Sequence, residues 1–504
     1  RKEVEFFSNK GYSIIALDLR GHGLSDCPIE KERYDIHHFS EDIQNILKKE
    51  KINEFSIIGH SLGGMIALNY CEVYKQLPKS LILPDTAHRF PYETNHEFKL
   101  SPYIVHLLRK LAESEYHLVN YFPHLSNNRN ELKNFKEKKV KLKEHKPSKN
   151  KKKVCILHTG GTIASKVDYE TGGVVAKFKP EEILSMFPEL EKLANVDSKL
   201  VRNMVSEDMR FEHYNLLAKA VEKEVKKGVD GIIITHGTDT MHYTSAALSF
   251  VLENLNVPVL LVGAQRSSDR GSSDAAMNLI CAVEFIVNSK FHGVGICMHK
   301  NADDDVCWIL PGLKSRKLHS SRRDAFKPIN AKAIAEINYK TRSVKMLEKE
   351  KEKSNEKLKL KLFKEVKVGI VKAYPNMFAD QLKVFEKYNG LVLIGTGLGH
   401  MPITEIDDFT KENKKILDQI KKLVGKMPVV MSPQTIFGRI DMNVYSPGRT
   451  LLDIGVIGNL SDMTPETSYI KLAWLLSNYP KEVKEMYMEN LRGEFNERIG
   501  EEFL

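Results

Sequence analysis

Short runs of consecutive apolar residues recur along the chain, and three of them end in clusters of glycine, threonine, serine and aspartate. These runs occupy 154–157, 231–234 and 257–262, and they are followed by HTGGTIAS, THGTDT and GAQRSSDRGSSDAAMN. Apolar runs without alternation are typical of strands buried on both faces of a parallel sheet. Helical patterns separate them, at 213–228 and 243–255. This alternation predicts an α/β fold with a doubly wound parallel sheet.

The three polar clusters predict one site. In open parallel sheets, ligands bind beyond the carboxyl ends of the strands, and each cluster follows such an end. One cluster alone would be ordinary turn chemistry, because these residue types favour turns. Three clusters on neighbouring strands favour a binding or catalytic site at that edge of the sheet.

The net charge of the 504-residue chain is concentrated in one segment. The chain has 76 Lys+Arg against 66 Asp+Glu. Eleven of the lysines lie between Lys133 and Lys153, where Glu137 and Glu144 oppose them. A run of like charges is typical of a solvated linker, which is the interpretation we favour. An electrostatic contact to RNA is the alternative, since clustered lysines neutralise phosphates.

Composition argues against two classes of protein. Apolar residues make up 42% of the chain, but no apolar run approaches the roughly 20 residues that span a bilayer. The six cysteines show no CxxC spacing, so a disulfide framework and a structural zinc site are both unsupported. The sequence therefore predicts a cytoplasmic protein that binds no metal.

The first part of the chain carries a different motif. Apolar residues at 12–17 and 55–58 predict strands, and the second is followed by GHSLGG at 59–64 and an apolar helical pattern. In the order strand, GxSxG, helix, a sharp turn lifts the serine hydroxyl above the sheet. This part of the chain resembles the α/β-hydrolase family, with Ser61 at the position of the nucleophile.

The rest of the hydrolase machinery is not placed as in that family. The chain order there is serine, acid, histidine, yet Asp85 and His88 follow Ser61 too early and too close together. A serine hydroxyl without a base is a poor nucleophile. We therefore interpret residues 1–128 as a partial α/β-hydrolase segment with a vestigial, catalytically silent Ser61. An esterase that acts through Ser61 is the alternative.

The polar clusters in the second part of the chain contain candidate catalytic groups. A glycine-flanked threonine offers a hydroxyl nucleophile with a restricted rotamer, and it needs a base. A desolvated lysine can serve as that base. No histidine and cysteine stand at metal-ligand spacing, and the nucleotide-binding pattern GxxxxGK[ST] is absent. These residues favour hydroxyl-based catalysis.

TGGTIAS (159–165) and HGTDTM (236–241) together are similar to the two signature motifs of the bacterial-type asparaginase/glutaminase family. SSDAAMNLICAV, RKLHSSRRDAF, GTGLGHMP and GRIDMNVYSPGR resemble one branch, the D subunits of the archaeal glutamyl-tRNA(Gln) amidotransferase. The resemblance implies an asparaginase-type sheet and a smaller C-terminal α/β domain. The expected boundaries are 129–153 for a Lys-rich linker, 154–340 for the N-terminal catalytic domain, 341–366 for a charged linker or hairpin, and 367–504 for the C-terminal domain.

The same resemblance implies which residues catalyse the reaction. The second threonine of TGGTIAS, Thr162, matches the nucleophile of the family, and Thr159 does not. Thr238, Asp239 and Lys317 match the family's Thr–Asp–Lys catalytic set.

The implied substrate-binding residues lie in three segments. Ser206 matches the residue that binds the α-carboxylate of the substrate, with Glu207 beside it, and Asp239 would meet the α-ammonium. Tyr169 lies where the family has a mobile lid that carries a tyrosine. His236 is expected to position other groups.

The implied reaction is acyl transfer. Thr162 attacks the side-chain amide of glutamine, backbone N–H groups stabilise the oxyanion, ammonia leaves, and water releases glutamate. In the family a partner E subunit activates Glu-tRNA(Gln) and receives the ammonia. ATP and Mg²⁺ are therefore expected on the partner, with no cofactor in this chain, and the expected assembly is a homodimer within a heterotetramer. A free-standing L-asparaginase is the alternative.

We predict that Ser61→Ala leaves every activity of the chain unchanged, because no acid and histidine follow Ser61 in the required order. The measurement is hydrolysis of a p-nitrophenyl ester and release of ammonia from glutamine, by wild type and variant. Ester hydrolysis by the wild type that disappears in Ser61→Ala would contradict this prediction.

Overall fold

The computed structural model describes residues 7–21, 25–26, 28, 30–59, 62–83, 148, 150–164, 166–167, 174–175, 187–268, 273–350 and 352–499. The chain forms two compact units. The first unit lies within residues 1–141, and the second unit lies within residues 142–167 and 174–504. In the described part of the chain, no helix combines the length and the apolar character needed to cross a membrane.

The described residues of the first unit form two α-helices and two short strands. In chain order these are α1 (Ile36–Lys49), β1 (Ser56–Ile58), α2 (Leu62–Val73) and β2 (Ser80–Ile82). β1 and β2 are parallel, and the buried side chains of Leu47, Leu68 and Tyr70 form the core between the helices and strands. The Tyr70 hydroxyl donates to Gln44 Oε1 at 2.6 Å, so these two buried polar groups are hydrogen-bonded to each other.

The strand predicted before the GxSxG motif and the helix predicted after it are confirmed. β1 ends next to Gly59, and a Cβ on Gly59 would lie 2.4 Å from the carbonyl oxygen of Gly63. Only glycine permits this close approach. Ser61, Asp85 and His88 lie outside the described residues, so their expected roles stay predictions.

The strand predicted at 12–17 is wrong. These residues form no strand, and their side chains are exposed, as in Tyr12 at 66%. A strand exists only where a neighbour accepts and donates its backbone hydrogen bonds. Among the described residues of the first unit, β1 and β2 pair with each other and leave 12–17 without such a neighbour.

The second unit is built from many short strands and helices. The strands are β3 (Lys153–Gly160), β4 (Lys166–Val167), β5 (Val174–Val175), β6 (Asn195–Met204), β7 (Gly231–Thr235), β8 (Leu252–Glu253), β9 (Pro258–Val262), β10 (Gly293–His299), β11 (Val306–Pro311), β12 (Ser315–Lys317), β13 (Phe326–Pro328), β14 (Ala335–Asn338), β15 (Val344–Met346), β16 (Lys359–Leu360), β17 (Val368–Lys372), β18 (Gly390–Gly395) and β19 (Val429–Pro433). The helices are α3 (Glu189–Leu193), α4 (Phe211–Lys226), α5 (Met241–Val251), α6 (Ala275–Asn288), α7 (Asp380–Lys383), α8 (Lys411–Val424), α9 (Ser446–Asp453), α10 (Pro465–Asn478) and α11 (Val483–Met486).

The large sheet has eight strands in the order β15-β14-β11-β10-β9-β7-β3-β6. The five strands from β10 to β6 are parallel, which confirms the predicted parallel sheet. β11, β14 and β15 extend it with antiparallel pairs. The chain passes from β3 outward to β6 and then returns to the other side of β3 as β7. The carboxyl ends of β3 and β7 therefore flank the point where ligands bind in such sheets.

Successive residues of the central strands point to opposite faces of the sheet. Ile232 and Ile234 of β7 join the core beneath α4 and α5, whereas Ile233 joins the core beneath α3 and α6. All three are fully buried. This is why the strand sequences lack alternation: helices cover both faces of the sheet, so consecutive residues in the middle of the strand are apolar.

The smaller sheet consists of the parallel strands β17, β18 and β19. Helix α10 packs against α5 of the large domain and against all three strands of this sheet. The rings of Phe250 and Trp474 lie 5.4 Å apart in the shared core, and Trp474 Nε1 donates to the Lys361 carbonyl at 3.0 Å. The two domains of the second unit therefore share one hydrophobic core.

The segment at 341–366, predicted as a charged linker or hairpin, supplies two strands. β15 forms the edge of the large sheet as the second arm of a hairpin with β14, and β16 pairs with β8. An edge strand has one side in solvent, and charged side chains are common there. The mixed charges of residues 341–366 are therefore compatible with an edge strand.

Candidate active site

The carboxyl ends of β3 and β7 meet through their glycines. Gly160 ends β3 and Gly161 follows it, with φ of 100° and 75°, values in the left-handed region that favours glycine. A Cβ on Gly161 would lie 2.3 Å from the backbone nitrogen of Gly237, in the HGTDT loop after β7. The two loops are thus in direct backbone contact, and this contact places Thr162 beside the loop that carries Thr238 and Asp239.

Lys317 connects the two other members of the predicted catalytic set. Its Nζ donates to Thr238 Oγ1 and to Asp239 Oδ1, both at 2.8 Å. The Lys317 side chain is 8% exposed, whereas that of Asp239 is 66% exposed. The amine is therefore largely shielded from water while it contacts a threonine hydroxyl, and the carboxylate keeps free surface toward solvent.

The two threonines of the TGGT segment differ in their surroundings. Thr159 is buried, and its hydroxyl donates to the Thr235 carbonyl at 2.8 Å. Thr162 is half-buried and begins a single 3₁₀ turn, Thr162–Ala164. A hydroxyl already engaged between two strands is a poor candidate for attack on a substrate, so this difference favours Thr162 over Thr159 as the nucleophile.

The loop after β9 contacts the 3₁₀ turn Thr162–Ala164. Ser268 is buried, and its hydroxyl donates to the Ile163 carbonyl at 2.6 Å. A Cβ on Gly263 would lie 2.6 Å from the Thr238 methyl group. The three polar clusters predicted to share one edge of the sheet therefore contact one another, as expected from the order of the strands.

Ser206 lies against the HGTDT loop from the side of β6. It is buried, its hydroxyl oxygen lies 3.4 Å from the Thr240 backbone nitrogen, and its carbonyl accepts from the Thr240 hydroxyl at 2.6 Å. Glu207 beside it is exposed and lies 3.5 Å from the Ser206 hydroxyl. Tyr169 lies outside the described residues, so its predicted role in a lid stays a prediction.

Asp274 holds a loop of the site, although no sequence motif singled it out. It is buried, and its carboxylate accepts from the backbone N–H groups of Gln265, at 3.0 Å, and Arg266, at 3.1 Å. These bonds fold the loop after β9 back onto the start of α6. The available signal was an aspartate directly before an apolar helical pattern, which is a common helix-start signature.

The His236 ring holds the HGTDT loop through two hydrogen bonds. Its Nδ1–H donates to the Gly237 carbonyl at 2.6 Å, and its Nε2 accepts from the Thr244 hydroxyl at 2.8 Å. Complete burial lowers the pKa of His236 to about 4. The ring is therefore neutral at physiological pH and holds the loop, which agrees with the predicted positioning role.

One group of potential metal ligands lies among the described residues, toward the amino ends of β3 and β6. Cys155, Asp197 and Glu224 have ligand atoms within 4.8 Å of one another. The Lys199 ammonium lies 2.9 Å from Asp197 and 2.6 Å from Glu224, and burial raises the pKa of Cys155 to about 12. A lysine that already balances the carboxylates and a protonated thiol make this group a poor metal site.

Comparisons with known families match three parts of the chain. Residues 153–351 match the family "Asparaginase, N-terminal", and residues 367–487 match "Glutaminase/Asparaginase C-terminal domain". Residues 1–113 match "alpha/beta hydrolase fold".

Similar proteins are D subunits of an amidotransferase. The D subunit of the glutamyl-tRNA(Gln) amidotransferase from Methanococcus maripaludis is 45% identical over 356 residues, which cover 69% of this chain and 82% of that protein. The protein of the same name from Pyrococcus abyssi is 45% identical over 347 residues, covering 68% and 76%.

Solved structures of similar fold include asparaginases. The thermostable L-asparaginase from Thermococcus kodakarensis has a TM-score of 0.61 and 29% identity, and covers 69% of this chain and 100% of that one. L-asparaginase I from Vibrio cholerae has a TM-score of 0.59 and 28% identity, covering 69% and 99%.

We predict that Lys317→Met lowers amide hydrolysis by about 1,000-fold or more, because groups that act as a unit lose most of their rate together. Lys317→Arg should not restore it, since arginine stays charged and cannot act as a base. Lys345→Met, at an exposed position of the edge strand β15, is the matched control. Near-normal turnover of the arginine variant would show that the lysine serves only as a fixed charge.

The buried histidines predict acid sensitivity. Burial lowers the pKa of His158, His236 and His242 to about 4 each, from an ordinary 6.5. Below pH 6.5 the unfolded chain binds protons that the folded chain does not, so the free energy of unfolding falls as the pH falls toward 4 and is unaffected above about pH 7. Each histidine should contribute a loss of about 2 kcal/mol at pH 5.

Urea denaturation at pH 7.5 and pH 5.0 measures this loss. His158→Gln should reduce the difference between the two pH values, because the variant has one buried imidazole fewer to protonate. Equal stability of the wild type at both pH values would contradict the neutral, buried state of these rings.

Proposed function

The chain belongs to the family of the D subunits of glutamyl-tRNA(Gln) amidotransferase, and on this basis we propose that it releases ammonia from glutamine, or asparagine, to convert Glu-tRNA(Gln) into Gln-tRNA(Gln). The observation that carries the proposal is the contact of one shielded lysine amine with both a threonine hydroxyl and a carboxylate, each at 2.8 Å. This set lies at the switch point of the sheet, beside the turn that begins with Thr162.

The first step forms an acyl-enzyme. Thr162 Oγ1 attacks the side-chain amide carbon of the substrate, and the C–N bond breaks as the hydroxyl proton passes to the departing ammonia. Backbone N–H groups at the glycine-rich loops stabilise the negative charge that develops on the amide oxygen. The product is an ester between Thr162 and the substrate acyl group.

The second step returns the enzyme to its starting state. Water attacks the ester carbon, the bond to Thr162 Oγ1 breaks, and the threonine regains a proton while glutamate or aspartate leaves. In this proposal Lys317, which is bonded to Thr238 and paired with Asp239, accepts and returns these protons.

In this proposal the chain selects an amino-acid substrate by its two charged groups, the α-ammonium and the α-carboxylate. The exposed surface of Asp239 can pair with the α-ammonium of the substrate, and the Ser206 hydroxyl can donate to its α-carboxylate. Glu207 and Tyr169 complete this proposed binding set. A simple amide lacks both charges and should bind weakly.

Activation of the tRNA-bound glutamate belongs, in this proposal, to a partner chain. The partner is the E subunit, which would bind ATP and Mg²⁺ and receive the ammonia, in a heterotetramer built around a homodimer of this chain. A cytoplasmic location fits the described cysteines Cys71, Cys155, Cys281, Cys297 and Cys307, which are free and buried.

Reconstitution tests the function. Alone, the chain should hydrolyse glutamine or asparagine slowly and leave Glu-tRNA(Gln) unchanged; with an archaeal E subunit, ATP and glutamine, it should yield Gln-tRNA(Gln). Thr162→Ala should abolish both reactions, by about 1,000-fold or more, without unfolding, whereas added ammonium salt should restore transamidation. Rapid asparagine hydrolysis by the chain alone, with no transamidation, would favour a free-standing asparaginase.

A further inference from the structure

The strand that carries Lys317 is short and lies apart from the large sheet. Among the described strands, β12 pairs with β13 alone, in a two-stranded ladder where Lys317 lies opposite Phe326. Three residues of strand give little intrinsic rigidity. Yet the Lys317 amine is held within 2.8 Å of two acceptors at once, so other contacts must fix this strand.

The smaller domain supplies those contacts. Arg316 pairs with Glu466 at 3.0 Å, and Lys314 pairs with Asp462 at 2.8 Å. The Thr467 hydroxyl donates to the Leu313 carbonyl at 2.7 Å. One short segment at the start of α10 therefore binds the whole stretch of chain that leads to Lys317.

Arg316 and Lys317 face opposite ways. Consecutive side chains of a strand point to opposite sides, so Arg316 is directed to the smaller domain while Lys317 is directed to Thr238 and Asp239. A displacement of one side chain therefore moves the other. The Arg316–Glu466 pair is well shielded on the carboxylate side, where Glu466 is 8% exposed.

Glu466 stands on a rigid support. It lies in the first turn of α10, where the helix dipole favours a carboxylate. The helix start is capped by the Thr464 hydroxyl, which accepts from the Thr467 backbone N–H at 3.3 Å. The same helix is anchored in the shared core through Trp474, so the position of Glu466 is set by that core and not by β12.

Glu466 also lies close to the helix that follows the HGTDT loop. His242 Nε2 lies 3.9 Å from Glu466 Oε1, on helix α5, which starts immediately after the HGTDT loop. Burial lowers the pKa of His242 to about 4, so the ring carries no charge at physiological pH. Arg316 is consequently the cation that faces the carboxylate, and His242 contributes a neutral contact.

We propose that Glu466 is a positioning residue for amide hydrolysis: through Arg316 it holds β12 so that Lys317 reaches Thr238 and Asp239. The smaller domain is then part of the catalytic apparatus, because it fixes the position of β12. This inference rests on the proposed function, because it assigns the lysine set to that reaction.

The test is steady-state amide hydrolysis by the full chain. Glu466→Gln and Arg316→Gln should each lower kcat by about 10- to 100-fold, since misplacing a catalytic group by about 1 Å has effects of this size. KM should change by less than about threefold, because the residues that bind the substrate are untouched. The double variant should lose no more than either single variant, and Arg316→Lys, which keeps the charge, should recover most of the rate.

A matched control separates positioning from stability. Glu224→Gln removes a second buried carboxylate, paired with lysines rather than with an arginine and located toward the amino ends of the strands. This variant should lower the urea midpoint while leaving kcat within about twofold. If Glu466→Gln does not fold, Arg316→Gln tests the positioning role instead. The arginine side chain is 28% exposed, so its replacement should disturb folding less.

The outcomes are distinct. Folded Glu466→Gln or Arg316→Gln with normal kcat, or additive losses in the double variant, would overturn the positioning role. Activity that persists in Thr162→Ala, measured in the same assay, would instead overturn the proposed function, whatever the result at Glu466.

Discussion

Backbone contact between two glycine loops sets the geometry on which the whole site depends. Gly161 approaches Gly237 so closely that a Cβ on Gly161 would lie 2.3 Å from its nitrogen. This approach is possible because β3 and β7 are adjacent parallel strands whose carboxyl ends lie at one edge. Thr162 and Thr238 directly follow these glycines, so the approach of the two backbone segments that carry them is a property of the sheet and the glycines.

The parts of this arrangement encoded by local signals could be predicted from the sequence. Buried strands, polar clusters at their ends and the helical patterns between them depend on neighbouring residues, and β3, β7 and β9 formed where apolar runs indicated. The contact between their clusters followed from general rules of parallel sheets. The assignment of Thr162 rather than Thr159 came from family resemblance, and the buried hydrogen bond of Thr159 provides a physical reason that supports it.

Contacts between distant segments could not be predicted in this way. Lys314 and Asp462 lie 148 residues apart, and no periodicity or motif links them. The strand expected at 12–17 failed for a related reason: an apolar run has strand character, but a strand also needs a hydrogen-bonded neighbour that local sequence does not specify. Asp274 was overlooked because its carboxylate serves a loop eight and nine residues upstream, beyond the range of simple capping rules.

Helix α10 belongs to the core of both domains in the second unit. Because Trp474 packs on Phe250 while neighbouring side chains of the same helix cover β17 to β19, neither domain can close its apolar surface without the other. The boundary between the two family matches is therefore not a boundary between folding units. The pair should unfold in a single cooperative transition, and exchange of the C-terminal domain between relatives would succeed only if the facing residues of α5 were exchanged with it.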